Sequence, residues 1–373
     1  MNAPSPSAMA SLREALLCWF AENARPLPWR ESYDPYQVWL SEIMLQQTQM
    51  ERAVGYFQRF VARFPDMASL AAASEEEVLK LWEGLGYYSR AKNLLACARR
   101  VVAAHGGALP HDPKTLQALP GIGPYTAGAV ASIAFARDVT AVDANVERVF
   151  ARLFDLDMPV REARTRAFIL ETAAALVPRG KAREWNQALM ELGALVCLPK
   201  RPRCSECPLS GQCEAYRLDL VFERPVPAKA VDYIPMDVAS GLLVREGRVF
   251  IQKRPETGVW AGLWEFPGGT VESGETPEQA VVREFREETD LDVAITAKLA
   301  VVRHGYTRYR VALHCFALRD LNDAAEPALH AAQEGRFATL AELSGLAFPA
   351  GHRKLIDQLV GQNRGGLLLD PMR

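Results

Sequence analysis

The sequence predicts an α+β multidomain protein, with an all-α part followed by a smaller α/β part. Three observations carry that expectation. Apolar residues recur at helical spacing from about Ser11 to Gly193. A stretch holding Pro225, Pro227 and Pro235 then breaks the pattern. Beyond it, short β-type runs surround a long helix. At 373 residues the chain exceeds the usual size of a single domain, so two domains are expected. The boundaries fall at residues 1–220 for the helical domain, 221–235 for a linker and 236–365 for the second domain.

Within the first part, "LREALLCWFAENA", "DPYQVWLSEIMLQQTQMERAVGYFQRF" and "AKNLLACARRVVAAHG" read as helices. They are punctuated at "ARPLPW", "GLGYYS" and "LPGIGP". In the second part "VASGLLVR", "RVFIQKR", "RYRVALHCFAL" and "GRFATL" read as strands, with a helix near Pro277 to Glu288. The apolar runs fall short of a membrane span and Met1–Met9 lacks the pattern of a signal peptide, so a cytoplasmic location is expected. Formal net charge is −2, and a reading as a nucleic-acid binder must rest on local geometry rather than pooled charge.

"LPGIGPYTAGAVASIAF" places Gly121 and Gly123 in a tight turn at the mouth of a helix. Backbone N–H groups at such a helix start can hold a phosphate without side-chain charge. A plain Gly-capped connection between helices is the simpler reading of the same residues. Downstream, "AVDANVERVFARLF" sets Asp143 just before a helix, where an N-cap is the ordinary role and Asn145 can share it. Upstream, "WLSEIMLQQTQ" carries Glu42 in an otherwise apolar helix. That carboxylate lies either on a solvent face, or buried with a raised pKa that lets it carry a proton at neutral pH.

Cys197, Cys204, Cys207 and Cys213 are spaced Cys-x6-Cys-x2-Cys-x5-Cys. Structural zinc sites favour paired Cys-x2-Cys knuckles, whereas four thiolates in one compact loop suit a [4Fe–4S] cluster. Lys200, Arg201 and Arg203 add positive charge to this loop. Cys18, Cys97 and Cys315 lie in apolar surroundings and read as core.

Glycine-rich turn, aspartate and cysteine cluster, in this order, resemble the endonuclease III-like superfamily of base-excision DNA glycosylases. Within it, "PWR", "WLSEIMLQQTQ", "GLGYYSRAKNL", "LPGIGPYTAGA", "VDANVERV" and "NQALMELGALVC" are similar to the MutY family of adenine glycosylases, over essentially the whole chain. That resemblance implies a helix-hairpin-helix domain with a [4Fe–4S] loop and a C-terminal MutT/Nudix-like domain. Endonuclease III itself carries its catalytic lysine where this chain has Tyr125. Without that amine no Schiff base forms there, so monofunctional chemistry is expected.

The resemblance implies a role for each matching residue. Glu42 is the general acid towards adenine N7, and Asp143 stabilises the cationic sugar, with Tyr125 and Asn145 supporting Asp143 and the reacting centre. Trp29, Arg30, Leu45 and Gln187 line the adenine pocket. Gln47 and Tyr87 fill the duplex opposite the extruded base, with Thr48 beside them. For Tyr87 and Tyr88, ordinary aromatic core is the simpler reading of one of the pair. The partner implied is double-stranded DNA with adenine opposite 8-oxoguanine or guanine, bound by a monomer.

"GGTVESGETPEQAVVREFREETDL" contains the Nudix pattern as Gly269, Glu275, Arg283, Glu284, Glu287 and Glu288, with Asp290 replacing the closing glycine, a departure able to disturb the turn. Glu284, Glu287 and Glu288 share one helical face and could hold Mg2+, which glycosylase chemistry does not require; a solvated acidic face paired with Arg283 and Arg286 needs no metal. In MutY-like chains this domain reads 8-oxoguanine, and the reading loop here is "RHGYTRYRV". The family's Phe-Ser-His becomes Tyr306, Thr307 and Arg308, which keeps an aromatic ring and a hydroxyl but turns a two-sided partner into a permanent donor. Two other functions stay open: a bifunctional protein whose second domain also hydrolyses oxidised nucleoside triphosphates, and a non-catalytic damage-binding module.

Overall fold

The computed structural model describes residues 5–227, 232–306, 308–322 and 325–361, with Tyr306 described by its backbone alone. It divides into two compact units. One comprises Met1–Ala72 and Asn93–Ala230; the other comprises Ala73–Lys92 and Val231–Arg373. The helical segment Ala73–Lys92, within the first 220 residues, thus groups with the C-terminal half.

The first unit is helical throughout its regular structure among the described residues. Three of its helices start where a capping side chain precedes a proline. Ser5 caps Pro6–Asn23, Asp34 caps Pro35–Leu45 and Asp112 caps Pro113–Gln117, each side chain accepting a backbone N–H of the first turn. Proline at the first helical position wastes no donor and has the helical φ already set. Helix Pro35–Leu45 is buried from Val38 to Met44, so both of its faces are covered. A core of Leu16, Phe150, Ile169, Trp185 and Leu192 joins Pro6–Asn23 to the later helices Ala144–Leu153, Ala163–Leu176 and Ala182–Leu195.

In the second unit the described residues form seven strands: β1 (Ile234–Arg245), β2 (Arg248–Lys253), β3 (Trp264–Glu265), β4 (Gly268–Thr270), β5 (Val293–Tyr306), β6 (Tyr309–Asp320) and β7 (Glu334–Ala338). Along the main path the order is β3-β2-β1-β6-β5, with β4 pairing β1 and β7 pairing β2. β1 and β6 are parallel and the other pairs antiparallel, which makes the sheet mixed. Helix Pro277–Thr289 packs Ala280, Val281 and Phe285 into a cluster with Leu243, Phe250 and Phe316. It begins with a capping box between Thr276 and Gln279. It ends at Asp290, whose φ of 57° is the left-handed conformation expected of the missing glycine. Aspartate tolerates that region better than most residues, so the turn survives the replacement.

Of the strands that sequence pattern misses (β3, β4 and β5), β5 is the longest. Its register against β6 slips between Ile295 and Ala297 and again between Lys298 and Ala300. Each irregularity inverts the inward-outward alternation on which pattern reading depends.

Candidate functional site

The helical unit holds a cavity of about 940 Å³. Its lining brings together Trp29, Arg30, Glu42, Leu45, Gln47, Thr48, Tyr125, Asp143, Asn145 and Gln187, residues spread across most of the unit's sequence. Gly121 and Gly123 are absent from that lining.

Glu42 lies on helix Pro35–Leu45 and is 5% exposed. The burial alternative is therefore the one realised. Desolvation raises its pKa to about 7, against a hydrogen bond from the Tyr125 hydroxyl (2.6 Å to Oε2) and the nearby charge of Arg30, which both favour the carboxylate. Asp143 adds a repulsive contribution in the same direction as burial. A carboxyl group poised near neutrality inside a large cavity has the properties of a general acid.

Asp143 caps a helix and lines the cavity as well. As N-cap of Ala144–Leu153 its Oδ1 accepts the Val146 N–H at 2.8 Å. Its other oxygen accepts from Asn145 Nδ2 at 2.7 Å and remains on the cavity wall. Burial raises its pKa, while the donors from Val146 and Asn145 and the charge of Arg148 pull the other way. Arg148 in turn donates to Asn145 Oδ1 at 2.9 Å, which orients the amide so that its NH2 faces the carboxylate. Of the two residues expected to support Asp143, Asn145 does so directly, whereas Tyr125 spends its hydroxyl on Glu42.

Gln187 does not present a free amide. Its Oε1 accepts from Arg30 Nε at 2.7 Å and its Nε2 donates to the carbonyl of Arg183 at 3.1 Å. Arg30 itself pairs with Glu191, as does Arg25, both at 2.7 Å. Glu191 is 1% exposed; it lies within "NQALMELGALVC", from which only Gln187 was given a role. The available signal was its position four residues after Gln187, on the same face of Ala182–Leu195. Gly193 was also missed. A Cβ there would stand 2.5 Å from Asn145 Cβ, so only glycine allows this approach.

Thr48 bonds within its own turn, through its hydroxyl to the Gln46 carbonyl at 3.3 Å. Gln47 is exposed with φ of 57°, unusual for a residue with a side chain. In the glycine-rich turn, Gly121 has φ of 73° and a Cβ there would meet Asn93 at 2.7 Å. Gly123 caps Pro124–Ile133 with open space around it, leaving room for a ligand to reach the first N–H groups. Tyr87 and Tyr88 part company: Tyr88 is 6% exposed, while Tyr87 is 47% exposed with φ of 48°.

The four clustered cysteines line one cavity, walled by Val149, Leu153, Leu192 and Leu209. Among the described residues, no three His, Cys, Asp or Glu side chains converge as a group for a single metal ion. The buried Arg152 donates to Cys197 Sγ at 3.3 Å and to the carbonyls of Leu198 and Pro199, which brings a cation against these sulfurs and holds the loop. No motif marked Arg152.

In the second unit Arg283 gathers the Nudix carboxylates. It bonds Glu275 through Nε (2.9 Å), and Glu284 and Glu287 through one terminal nitrogen at 2.9 and 3.1 Å. Glu288 turns away from that group. Its Oε2 accepts from Gln252 and from the Gly268 N–H, and burial with the nearby Glu265 raises its pKa to about 7. Of the expected reading loop, Tyr306 closes β5 and Arg308 is exposed; Thr307 lies outside the described residues.

The superfamily of HhH-GPD base excision DNA repair proteins matches residues 40–174, and the NUDIX domain family matches residues 239–358. The adenine DNA glycosylase of Mus musculus is 33% identical over 96% of this chain and 79% of its own length. That of Homo sapiens is 32% identical over 96% of this chain and 75% of its own length. A thermostable thymine-DNA glycosylase of known structure superposes with a TM-score of 0.53 and 30% identity, over 57% of this chain and 98% of that one. An endonuclease III structure in a DNA complex superposes at 0.50 with 22% identity, over 58% and 99%, a likeness of fold. On these similarities, the chain belongs to the adenine DNA glycosylase family.

Proposed function

We propose that this glycosylase removes adenine from double-stranded DNA where it stands opposite 8-oxoguanine or guanine, without cutting the strand. The observation that carries this reading is Glu42, buried beside Asp143 in one cavity with a pKa raised to about 7. At neutral pH about half of such a group holds a proton for the leaving base. Glu42 delivers it to adenine N7, and the sugar cation that develops is stabilised by Asp143, held in place by Asn145 and Val146. Water completes the hydrolysis. No lysine stands among the described residues lining this cavity, which supports hydrolysis over Schiff-base chemistry.

Three further assignments belong to the same reading. The adenine leaves the duplex to enter the cavity, with Gln47 and Tyr87 filling its place, and the helix start at Gly123 holds a backbone phosphate. Tyr306, Thr307 and Arg308 meet the 8-oxoguanine. Cys197, Cys204, Cys207 and Cys213 hold a [4Fe–4S] cluster, which when bound tethers the loop that carries them; purified protein then contains about four iron atoms per chain.

A single-turnover gel assay on duplexes with adenine opposite 8-oxoguanine, guanine or thymine tests the proposal. Wild type releases adenine from the first two, and Asp143→Asn loses at least about 100-fold in rate. Equal release by the two proteins refutes the mechanism.

A further inference from the structure

The exposed ring of Tyr87 is built into the second unit by contacts that none of the family's motifs predict. Helix Glu75–Trp82 ends at Glu83, and the chain then turns through Gly84, Leu85 and Gly86 with left-handed φ values at Gly84, Gly86 and Tyr87. Gly84 and Gly86 adopt such values freely, but at Tyr87 a left-handed φ of 48° is a conformation that neighbours must hold. On one side Trp82 donates its indole N–H to the Gly86 carbonyl at 3.1 Å. Arg90 donates to the carbonyls of Leu85 and Gly86 while its guanidinium stands 5.7 Å from the centre of the Tyr87 ring.

The other side is held by residues near the end of the chain. One Glu83 oxygen accepts from the Phe348 N–H at 2.9 Å and from Arg353 Nε at 2.8 Å, and the other accepts from Lys80. Arg353 also donates to the carbonyls of Leu343 and Leu346. The Tyr88 hydroxyl donates to the Phe348 carbonyl at 3.0 Å. Residues flanking Tyr87 on both sides are thus fastened to the Leu343–Arg353 region, and the Glu83–Arg353 pair is largely buried, at 11% and 16% exposure.

We propose that Glu83, Tyr88 and Arg353 are positioning residues that hold the Tyr87 ring in the geometry needed to extrude the target base. The proposal rests on the wedge role given to Tyr87 above. It makes the C-terminal segment a determinant of base extrusion through the support it gives this turn, separately from any contact with 8-oxoguanine.

The test uses the full chain and a duplex with 2-aminopurine in place of the target adenine, whose fluorescence rises on unstacking. Tyr88→Phe slows extrusion about tenfold, the size expected from losing one buried hydrogen bond that constrains the turn, and Arg353→Met, which loses an ion pair and two further bonds, slows it at least as much. Arg353→Lys recovers part of the rate. The pH midpoint of adenine release stays at the wild-type value, because Glu42 is untouched. Where Arg353→Met fails to fold, Tyr88→Phe, which deletes one oxygen, decides. Wild-type extrusion by folded Tyr88→Phe and Arg353→Met overturns the proposal, as does a shifted pH midpoint. Tyr87→Ala separates the two levels: slow extrusion in Tyr87→Ala beside a normal rate in Tyr88→Phe sinks this inference alone. Normal extrusion in Tyr87→Ala removes the wedge reading and this inference with it.

Discussion

The Tyr125 hydroxyl donates to Glu42 Oε2 at 2.6 Å, joining two helices whose residues are 83 apart in sequence. The bond favours the ionised carboxylate, and burial opposes it and wins, so Glu42 holds a proton to about pH 7. An acid catalyst works only while protonated. The single-turnover rate of adenine release should therefore fall about tenfold per pH unit above that midpoint. Tyr125→Phe removes a donor that lowers the pKa and should move the alkaline limb to higher pH. A limb that stays in place, or moves down, contradicts the role assigned to this bond.

Glu191 balances both Arg25 and Arg30 while almost wholly buried. Glu191→Gln leaves two guanidinium groups short of a counter-charge, at a cost of about 3 kcal/mol in urea unfolding. Because Arg30 also fixes Gln187, the variant should bind substrate DNA more weakly as well as unfold earlier. A change under about 0.5 kcal/mol would place this pair among those that contribute nothing measurable.

Gly193→Ala pushes a methyl group against Asn145, 2.5 Å away at Cβ. Overpacking of this kind costs about 1–3 kcal/mol of stability. Its sharper effect should be on chemistry, since Asn145 holds Asp143: a rate constant about tenfold lower with DNA affinity retained. Loss of affinity with an unchanged rate constant would show that Asn145 serves binding instead.

The Nudix helix leads to a fourth expectation. Arg283 already satisfies Glu275, Glu284 and Glu287, and Glu288 is bound to Gln252 and Gly268. With 8-oxo-dGTP and Mg2+, pyrophosphate release should stay at the background rate. Turnover that vanishes in Glu287→Gln would establish a second activity.

Much of the site could be read in the sequence because its local chemistry is unusual. A glutamate in a helix with apolar residues on every side has few reasons to be there, and Glu42 proved buried on that helix. Asp143 stood at a helix start recognisable from its capping position. The pairing partners were not legible in the same way. Glu191, Arg152 and Gly193 are ordinary residue types on amphipathic helices, and their importance comes from what other helices bring to them. The same limit hid β5, whose bulges break the alternation that reveals a strand. It also hid the grouping of Ala73–Lys92 with the C-terminal half, since that segment reads as one more helix in a helical run.

That grouping has a consequence for how the protein is made. Tyr88 bonds a carbonyl 260 residues further along the chain. At ordinary translation speeds the ribosome needs on the order of ten seconds or more to cover that distance. Throughout the interval Glu83 and Tyr88 belong to a nascent segment that still lacks Phe348 and Arg353, the partners that fasten them in the finished fold. The C-terminal unit cannot be completed as an independent later event, because it must recover a piece released early in synthesis. A ribosome stalled before Phe348 leaves that piece stranded, a natural substrate for chaperones on the emerging chain.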